Sequence, residues 1–153
     1  MGVANLNAAY LWAQLEKSRE IYTDRMGSWN LYYELLKELE AKGYIECPVV
    51  PEGCIHNAHM FYIKLKDLEE RTMLIHYLRG KNIYSVFHYV PLHTSPAGKK
   101  FGVFCGEDKY TTKESERLLR LPLYYGLKDD EVKYIVKSIS DYFKYSNGKV
   151  KKI

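Results

Sequence analysis

The sequence has no long apolar run. Nowhere in its 153 residues does a stretch approach the ~20 apolar positions that a membrane-crossing helix needs. A membrane-spanning role is therefore not expected. The first residues carry no cationic start and no small-residue cleavage pattern, so a secretory leader is not expected either. Cysteine is scarce and odd in number: Cys47, Cys54 and Cys105 are the three. An odd set argues against a disulfide framework and fits a reducing cytoplasm. Charge of one sign is not in large excess. With 23 basic and 19 acidic residues the net charge is +4, and the two signs mostly alternate. The uncompensated cluster is Lys144, Lys149, Lys151 and Lys152, and residues 146–153 read as a solvated basic tail. Nucleic-acid readout needs an organised basic face. None is visible, so neither nucleic acid nor membrane is expected as a partner. A nucleophile elbow, paired catalytic carboxylates and a phosphate-cradling glycine loop are missing too.

Against these absences, the content is that of a folded domain. Apolar residues make up 46% and charged residues 27%, enough for one domain with a real core. Tyrosine is frequent, at 15 residues, and suits either interfaces or plain cores. Apolar positions recur three or four apart at Ala8, Leu11, Leu15, Tyr22, Met26, Trp29, Tyr33 and Leu36, with no proline between them. This spacing predicts one long helix over 6–42, with Gly27 as its weak point and Gly43 as its C-terminal cap. Such a helix runs roughly 50 Å, longer than a small domain is wide, so part should overhang. The overhang should be residues 6–13, which are apolar on nearly every face and call for a covering partner.

Beyond Gly43, Tyr44 to Glu46 is a short strand candidate and 47–56 a loop with Pro48, Pro51 and Gly53. Residues 58–65 alternate as a strand, with His59, Phe61, Ile63 and Leu65 on one side. Asp67 and Glu70 form a capping box opening a helix faced by Leu68, Arg71, Ile75 and Leu78 and ended by Gly80. Residues 83–87 are the next strand candidate. Residues 91–110 read as one long loop whose Phe101, Val103 and Phe104 should pack onto something. A second capping box, Thr111 and Glu114, opens a short helix ending near Leu119. Residues 120–123 are an edge strand candidate, because Pro122 argues against a central position. The last helix spans Asp129 to Tyr145, with Val132, Ile135, Val136, Ile139 and Phe143 buried. Strand, helix and strand in this order indicate an α+β domain.

Candidate chemistry concentrates in Phe87-His88-Tyr89-Val90-Pro91-Leu92-His93. Pro91 holds Val90 extended, so a stiff segment carries two imidazoles and a phenol. The two histidines either hold a polar ligand or cap backbone groups of the turn. Cys54, His56 and His59 tempt a metal reading, but His59 faces away from the other two in a strand and no second pair completes a tetrahedral site. No metal ligand is assigned.

Four stretches carry a resemblance: LNAAYLWAQLE at 6–16, NAHMFYIKLKDLEERT at 57–72, VFHYVPLHTSPAG at 86–98 and GEDKYTTKESERLLRLPLYYGL at 106–127. In these the chain resembles the C-terminal part of the DegT/DnrJ/EryC1/StrS family of pyridoxal-phosphate-dependent sugar aminotransferases. The likeness runs from Leu6 to about Phe143. It implies the small domain of a fold-type-I aminotransferase: a long N-terminal helix plus a small, mostly antiparallel sheet with flanking helices. It divides the chain into a residual link (1–5) to a large domain, an interdomain helix (6–43), a small α/β domain (44–145) and the tail (146–153). It implies amino transfer from glutamate to a dTDP-4-keto-6-deoxyhexose in surface-polysaccharide synthesis, by dimers with sites at the subunit interface. It places His88, Tyr89 and His93 beside the sugar or its phosphates, with His59 orienting the strand nearby. The lysine that anchors the cofactor and the aspartate that braces its ring match nothing here, and Asn5 stands where the family usually has Glu. No catalytic or cofactor-binding residue is therefore assigned, and no pyridoxal phosphate is expected on this chain alone. The expected partners are a second copy or a large N-terminal domain, met through the 6–36 helix, with a nucleotide sugar as ligand. A stand-alone binding or interaction module is the alternative.

Overall fold

A computed structural model describes residues 3–150, with side chains described for 5–145. The N-terminal helical region is two helices, α1 (Val3–Glu16) and α2 (Ser18–Ala41). The expected single helix breaks at Lys17, whose N–H donates to Gln14 O at 3.1 Å, an i→i−3 bond that tightens the turn. Gly27, the expected weak point, lies inside the unbroken α2. The chain then leaves the helix through a loop to β1 (Phe61–Lys64) and α3 (Leu68–Arg79). There follow β2 (Val86–Phe87), a 3-10 turn at Leu92–Thr94, α4 (Pro96–Phe101), α5 (Thr111–Arg117), β3 (Leu118–Leu121) and α6 (Asp129–Val150).

The three strands form one antiparallel sheet in the order β1-β3-β2. With the helices around it, this is the expected α+β architecture with a small antiparallel sheet. The C-terminal strand was expected at an edge and is central instead. It ends at Leu121, so Pro122 falls just outside the ladder and removes no hydrogen bond from it. Tyr44–Glu46 contributes only a bridge from Glu46 to Lys64.

Alternation decides which sheet face is covered. Phe61 and Ile63 of β1 and Leu119 and Leu121 of β3 are buried, while their neighbours along each strand are half-buried. Against the covered residues lie Trp29, Tyr32, Leu36 and Leu39 of α2 and the whole expected stripe of α6: Val132, Ile135, Val136, Ile139 and Phe143. The Phe61 ring sits 5.3 Å from Trp29 and 5.1 Å from Tyr32. Tyr32 is buried to its hydroxyl, which donates to Pro122 O at 3.0 Å, and burial pushes its phenol far up. α6 continues to Val150, five residues into the expected tail; the side chains of 146–153 lie outside the described residues.

The caps differ in outcome. Asp67 accepts from Glu70 N at 2.9 Å, and Glu70 returns a bond from Lys66 N at 3.0 Å, so the first box forms with its return leg one residue early. α3 buries Arg71, Leu74 and Leu78, leaving Leu68 exposed. The second box does not form. α5 has Tyr110 rather than Thr111 at its N-cap, with no side-chain bond, and Glu114 turns to Lys64 at 2.6 Å. The region 91–110 is not one loop: the 3-10 turn and α4 occupy it. Phe101 and Val103 are exposed rather than packed.

α1 stands apart. Leu6, Tyr10, Leu11, Trp12 and Leu15 are all exposed, between 57 and 75%. Among the described residues it carries one charge, Glu16, so its surface is apolar without a core behind it. No described helix is long and apolar enough to cross a membrane.

Two outcomes follow from this division. Leu36→Ala empties a site that is fully buried and should destabilise the fold by about 2–5 kcal/mol. Trp12→Ala should leave the unfolding free energy of isolated monomer within about 0.5 kcal/mol of the parent value. Urea titrations of both variants check this. In the native state Cys54 and Cys105, which are exposed, should react with a thiol reagent. Cys47, which burial pushes up to about 12, should react only after unfolding.

Candidate functional site

The candidate site is the face built by the 88–93 turn, α4 and the start of α5. β2 ends at Phe87 because the chain must turn before Pro91. From there several residues are fixed by nearby bonds. Tyr89 O accepts from the Ser115 hydroxyl, tying the turn to α5. Thr94 Oγ1 donates to Pro91 O at 3.0 Å, which closes the 3-10 turn. Ser95 N-caps α4: its hydroxyl oxygen accepts from Gly98 N at 2.9 Å and donates to Leu92 O at 2.7 Å. α4 packs so tightly on this turn that a Cβ at Gly98 would lie 1.6 Å from Leu92 O. Only glycine permits that approach.

The two histidines of the turn differ in their surroundings. His93 is held on three sides. Its Nε2 is 2.7 Å from Asp108 Oδ2 and 3.4 Å from Thr112 Oγ1, and its ring stacks on Phe104 at 4.3 Å between centroids. Asp108 in turn accepts from the Thr112 hydroxyl and backbone N–H. These bonds, with the His93 ring beside them, hold the Asp108 carboxyl below the usual carboxylate range; the Thr112 hydroxyl is the largest cause. His88 has no such anchor. Its ring meets Tyr89 edge-on at 4.4 Å, and its Nδ1 is buried with no hydrogen-bond partner among the described atoms. Tyr89 itself is 69% exposed.

His59 is not with them. β1 runs antiparallel to β3 with Phe61 opposite Leu121, so His59 lies beyond the Pro122 end of β3. β2 pairs Phe87 with Leu119, so His88 leaves the sheet at the Leu118 end. His59 is exposed, and the strand expected to carry it from 58 begins only at Phe61. Ala58 has a φ of +48°, which breaks the alternation before the strand. Arg25 holds that bend by donating to Ala58 O at 2.9 Å and His59 O at 2.6 Å. Of the other residues weighed for a metal, His56 packs on Trp29 at 4.3 Å and its Nδ1 accepts from Ala58 N at 3.2 Å. Cys54 is exposed.

Asp108, Thr112 and Ser115 belong to the site and were not singled out from sequence, whereas Phe104, expected to pack, does so on His93. A signal existed: Asp108 and Thr112 stand four apart at the mouth of a helix, where an acidic side chain meets free backbone N–H groups.

Two clefts adjoin the turn. One, of about 250 Å³, is lined by His88, Tyr89, Val90, Pro91, Thr111, Glu114, Ser115 and Leu118. The other, of about 360 Å³, is lined by Leu92, His93, Gly98, Lys99, Gly102, Val103 and Phe104. A larger groove of about 820 Å³ lies at the other end of the sheet, among Tyr84, Tyr124 and Tyr134. Its size does not make it the site. Glu131 there caps α6 through Lys128 N, and Asp130 pairs with Lys133.

A pyridoxal phosphate anchor is a lysine, and several of the described lysines are already engaged. That chemistry needs a desolvated lysine facing a cavity. Lys37, Lys42 and Lys64 lie on Glu34, Glu38 and Glu114, and the Lys81 ammonium lies over the Tyr77 ring.

Comparison with known proteins supplies the family and the fold. The model of the DegT/DnrJ/EryC1/StrS aminotransferase family matches residues 1–140. An uncharacterized protein of Methanocaldococcus jannaschii is 28% identical over 130 residues, covering 82% of this chain and 33% of its own length. The dTDP-4-dehydro-2,3,6-trideoxy-D-glucose 4-aminotransferase of Saccharopolyspora spinosa is 26% identical over 133 residues, 86% of this chain and 32% of its own. Among solved structures, a DegT DnrJ EryC1 StrS aminotransferase from Brucella abortus superposes with a TM-score of 0.75 at 25% identity, covering 88% of this chain and 34% of that one. The chain spans about a third of the length of the relatives it matches.

The Asp108 network has a pH signature. A carboxyl lowered by folding stabilises the fold above its unfolded pKa and loses that contribution as pH falls through the folded value. Below the ordinary carboxylate value of 3.8, amides of 91–112 should therefore lose hydrogen-exchange protection in the native chain. In Asp108→Asn, protection of this segment should be weaker already at neutral pH, and that acid-dependent step should be absent.

Proposed function

Because the chain belongs to the DegT/DnrJ/EryC1/StrS aminotransferase family, we propose that it is the small C-terminal part of a nucleotide-sugar aminotransferase, inactive alone. The match over residues 1–140 carries this reading. The partner reaction is amino transfer from glutamate to a dTDP-4-keto-6-deoxyhexose, of the kind a dTDP-4-dehydro-6-deoxyglucose aminotransferase performs in surface-polysaccharide synthesis. The Saccharopolyspora relative, a dTDP-sugar 4-aminotransferase, supports that substrate class. Bound pyridoxal phosphate supplies the electron sink for amino transfer. This chain's own residues bind and orient. His93, fixed by Asp108 and Phe104, stiffens the turn. His88, with its unsatisfied Nδ1, and Tyr89 meet the sugar nucleotide. The lysine and the remaining cavity wall come from a large domain, seated on the exposed apolar residues of α1. Dimers complete the site, in the cytoplasm.

A second reading, a stand-alone nucleotide-sugar-binding module, is favoured by one observation: His88 and its cleft are formed within this chain. The discriminating experiment is reconstitution. The chain alone should retain no visible cofactor absorbance after gel filtration with pyridoxal phosphate and should transfer no amino group. Co-expression with a family large domain bearing the anchoring lysine should produce both signals. Amino transfer by the chain alone, or no absorbance beside a folded large domain, would overturn the first reading.

A further inference from the structure

We infer that Arg71 is a positioning residue for the 88–93 turn: its guanidinium, held between Ser115 O of α5 and the Phe87 ring of β2, fixes how His88 and Tyr89 are presented. The inference rests on the role proposed above for that turn.

The burial of Arg71 calls for a reason. It lies in a helix whose other buried side chains are Leu74 and Leu78. A buried guanidinium must be stripped of water, and an apolar side chain of similar volume fills such a place without that penalty. Burial lowers its pKa, and Glu116 offsets this only in part. Its Nε has no partner among the described atoms. The contacts Arg71 does make are to a backbone carbonyl and an aromatic face. A guanidinium nitrogen, Nη1, donates to Ser115 O at 2.8 Å, and the group lies 5.2 Å from the centre of the Phe87 ring. A planar fork of donors suits both contacts at once, and a lysine ammonium does not.

Those two contacts sit on either side of the turn. Phe87 is the last residue of β2, immediately before His88. Ser115 lies in the last turn of α5, and Leu119, four residues on, already belongs to β3. Ser115 O is thus a carbonyl that α5 cannot satisfy within itself, and a cation suits that end of a helix. The Ser115 hydroxyl in turn donates to Tyr89 O. One path from α3 therefore runs through Ser115 to Tyr89, and the other through Phe87 to His88. Leu74 and Leu78 anchor α3 in the core, so both paths start from a rigid element.

The test reads amide hydrogen exchange in the whole chain at Thr94 and Ser95, whose N–H groups donate to Pro91 O within the turn. Arg71→Met keeps a long side chain and removes the fork. It should quicken exchange at both amides roughly tenfold, the effect of about one hydrogen bond, and so should Ser115→Ala. The double variant should quicken them no further than Arg71→Met alone, because Ser115 lies on the path from Arg71. Arg71→Lys, which keeps the charge, should resemble Arg71→Met. Amides of β1 should exchange as in the parent throughout. Unchanged exchange at Thr94 and Ser95, additive effects in the double variant, full rescue by lysine, or equal quickening in β1 would each overturn the positioning role. If Arg71→Met does not fold, Phe87→Leu must give the same local quickening, and its absence would overturn the role as well. Paired with a family large domain, Arg71→Met should raise KM for a dTDP-4-keto-6-deoxyhexose about five- to tenfold and leave KM for glutamate unchanged. An equal rise in both would count as general damage and overturn the inference. A parent complex without amino transfer would overturn the function proposed above, and the exchange result would then decide on Arg71 by itself.

Discussion

The packing of β1 between α2 and the central strand β3 governs everything else in this chain. Phe61 is the contact where these parts meet: it touches Trp29 and Tyr32 of α2 and pairs with Leu121 of β3. Once Phe61 is buried, the period of two fixes Ile63 inward and Tyr62 and Lys64 outward. The outward position of Lys64 then brings it onto Glu114, which withdraws Glu114 from capping α5. β2 pairs on the other edge of β3, with Phe87 opposite Leu119. The 88–93 turn leaves the sheet where it does for that reason. A hydrophobic contact in the core thus positions a polar face at the surface.

How legible this was depended on the range of the forces involved. Helices with a buried stripe were readable because burial repeats every three or four residues, and α6 shows all five expected positions buried. Asp67 was readable because an N-cap is a bond between residues three apart. The failures share a cause. Pro122 argued for an edge strand, but β3 ends one residue before it, which only pairing partners distant in sequence decide. Thr111 and Glu114 have the spacing of a capping box, and Lys64, 50 positions earlier, takes the carboxylate. His59 looked like a neighbour of His88 on a strand, yet the antiparallel register and the Ala58 bend separate them. The break at Lys17 carries no proline or glycine to announce it.

Within the site, the same distinction separates the two histidines. From sequence, His88 and His93 were equivalent imidazoles on one stiff turn. The structure gives His93 an acceptor, a hydroxyl and an aromatic ring, which is the environment of a residue that holds shape. It leaves His88 Nδ1 buried and unpaired, which is the environment of a residue awaiting a partner. His93 thus bonds to side chains rather than capping backbone groups of the turn, and His88 keeps one ring nitrogen without a partner among the described atoms.

The incompleteness at His88 and the exposure of α1 can be weighed together. A buried unpaired polar atom is worth roughly 1–3 kcal/mol of lost stability. Apolar helix surface left in water forgoes about 25 cal/mol for each Å² that a partner could bury. Core packing around Phe61 and Tyr32 tolerates both deficits, since neither touches the contacts that hold the sheet to α2 and α6. The two deficits lie in different parts of the molecule, one on the exposed face of α1 and the other at the turn after β2. A large domain seated on α1 relieves the first, and a ligand shared between that domain and the turn relieves the second. On the proposed reading, assembly and ligand binding each supply what the isolated fold lacks, and a domain that folds without them still gains from both.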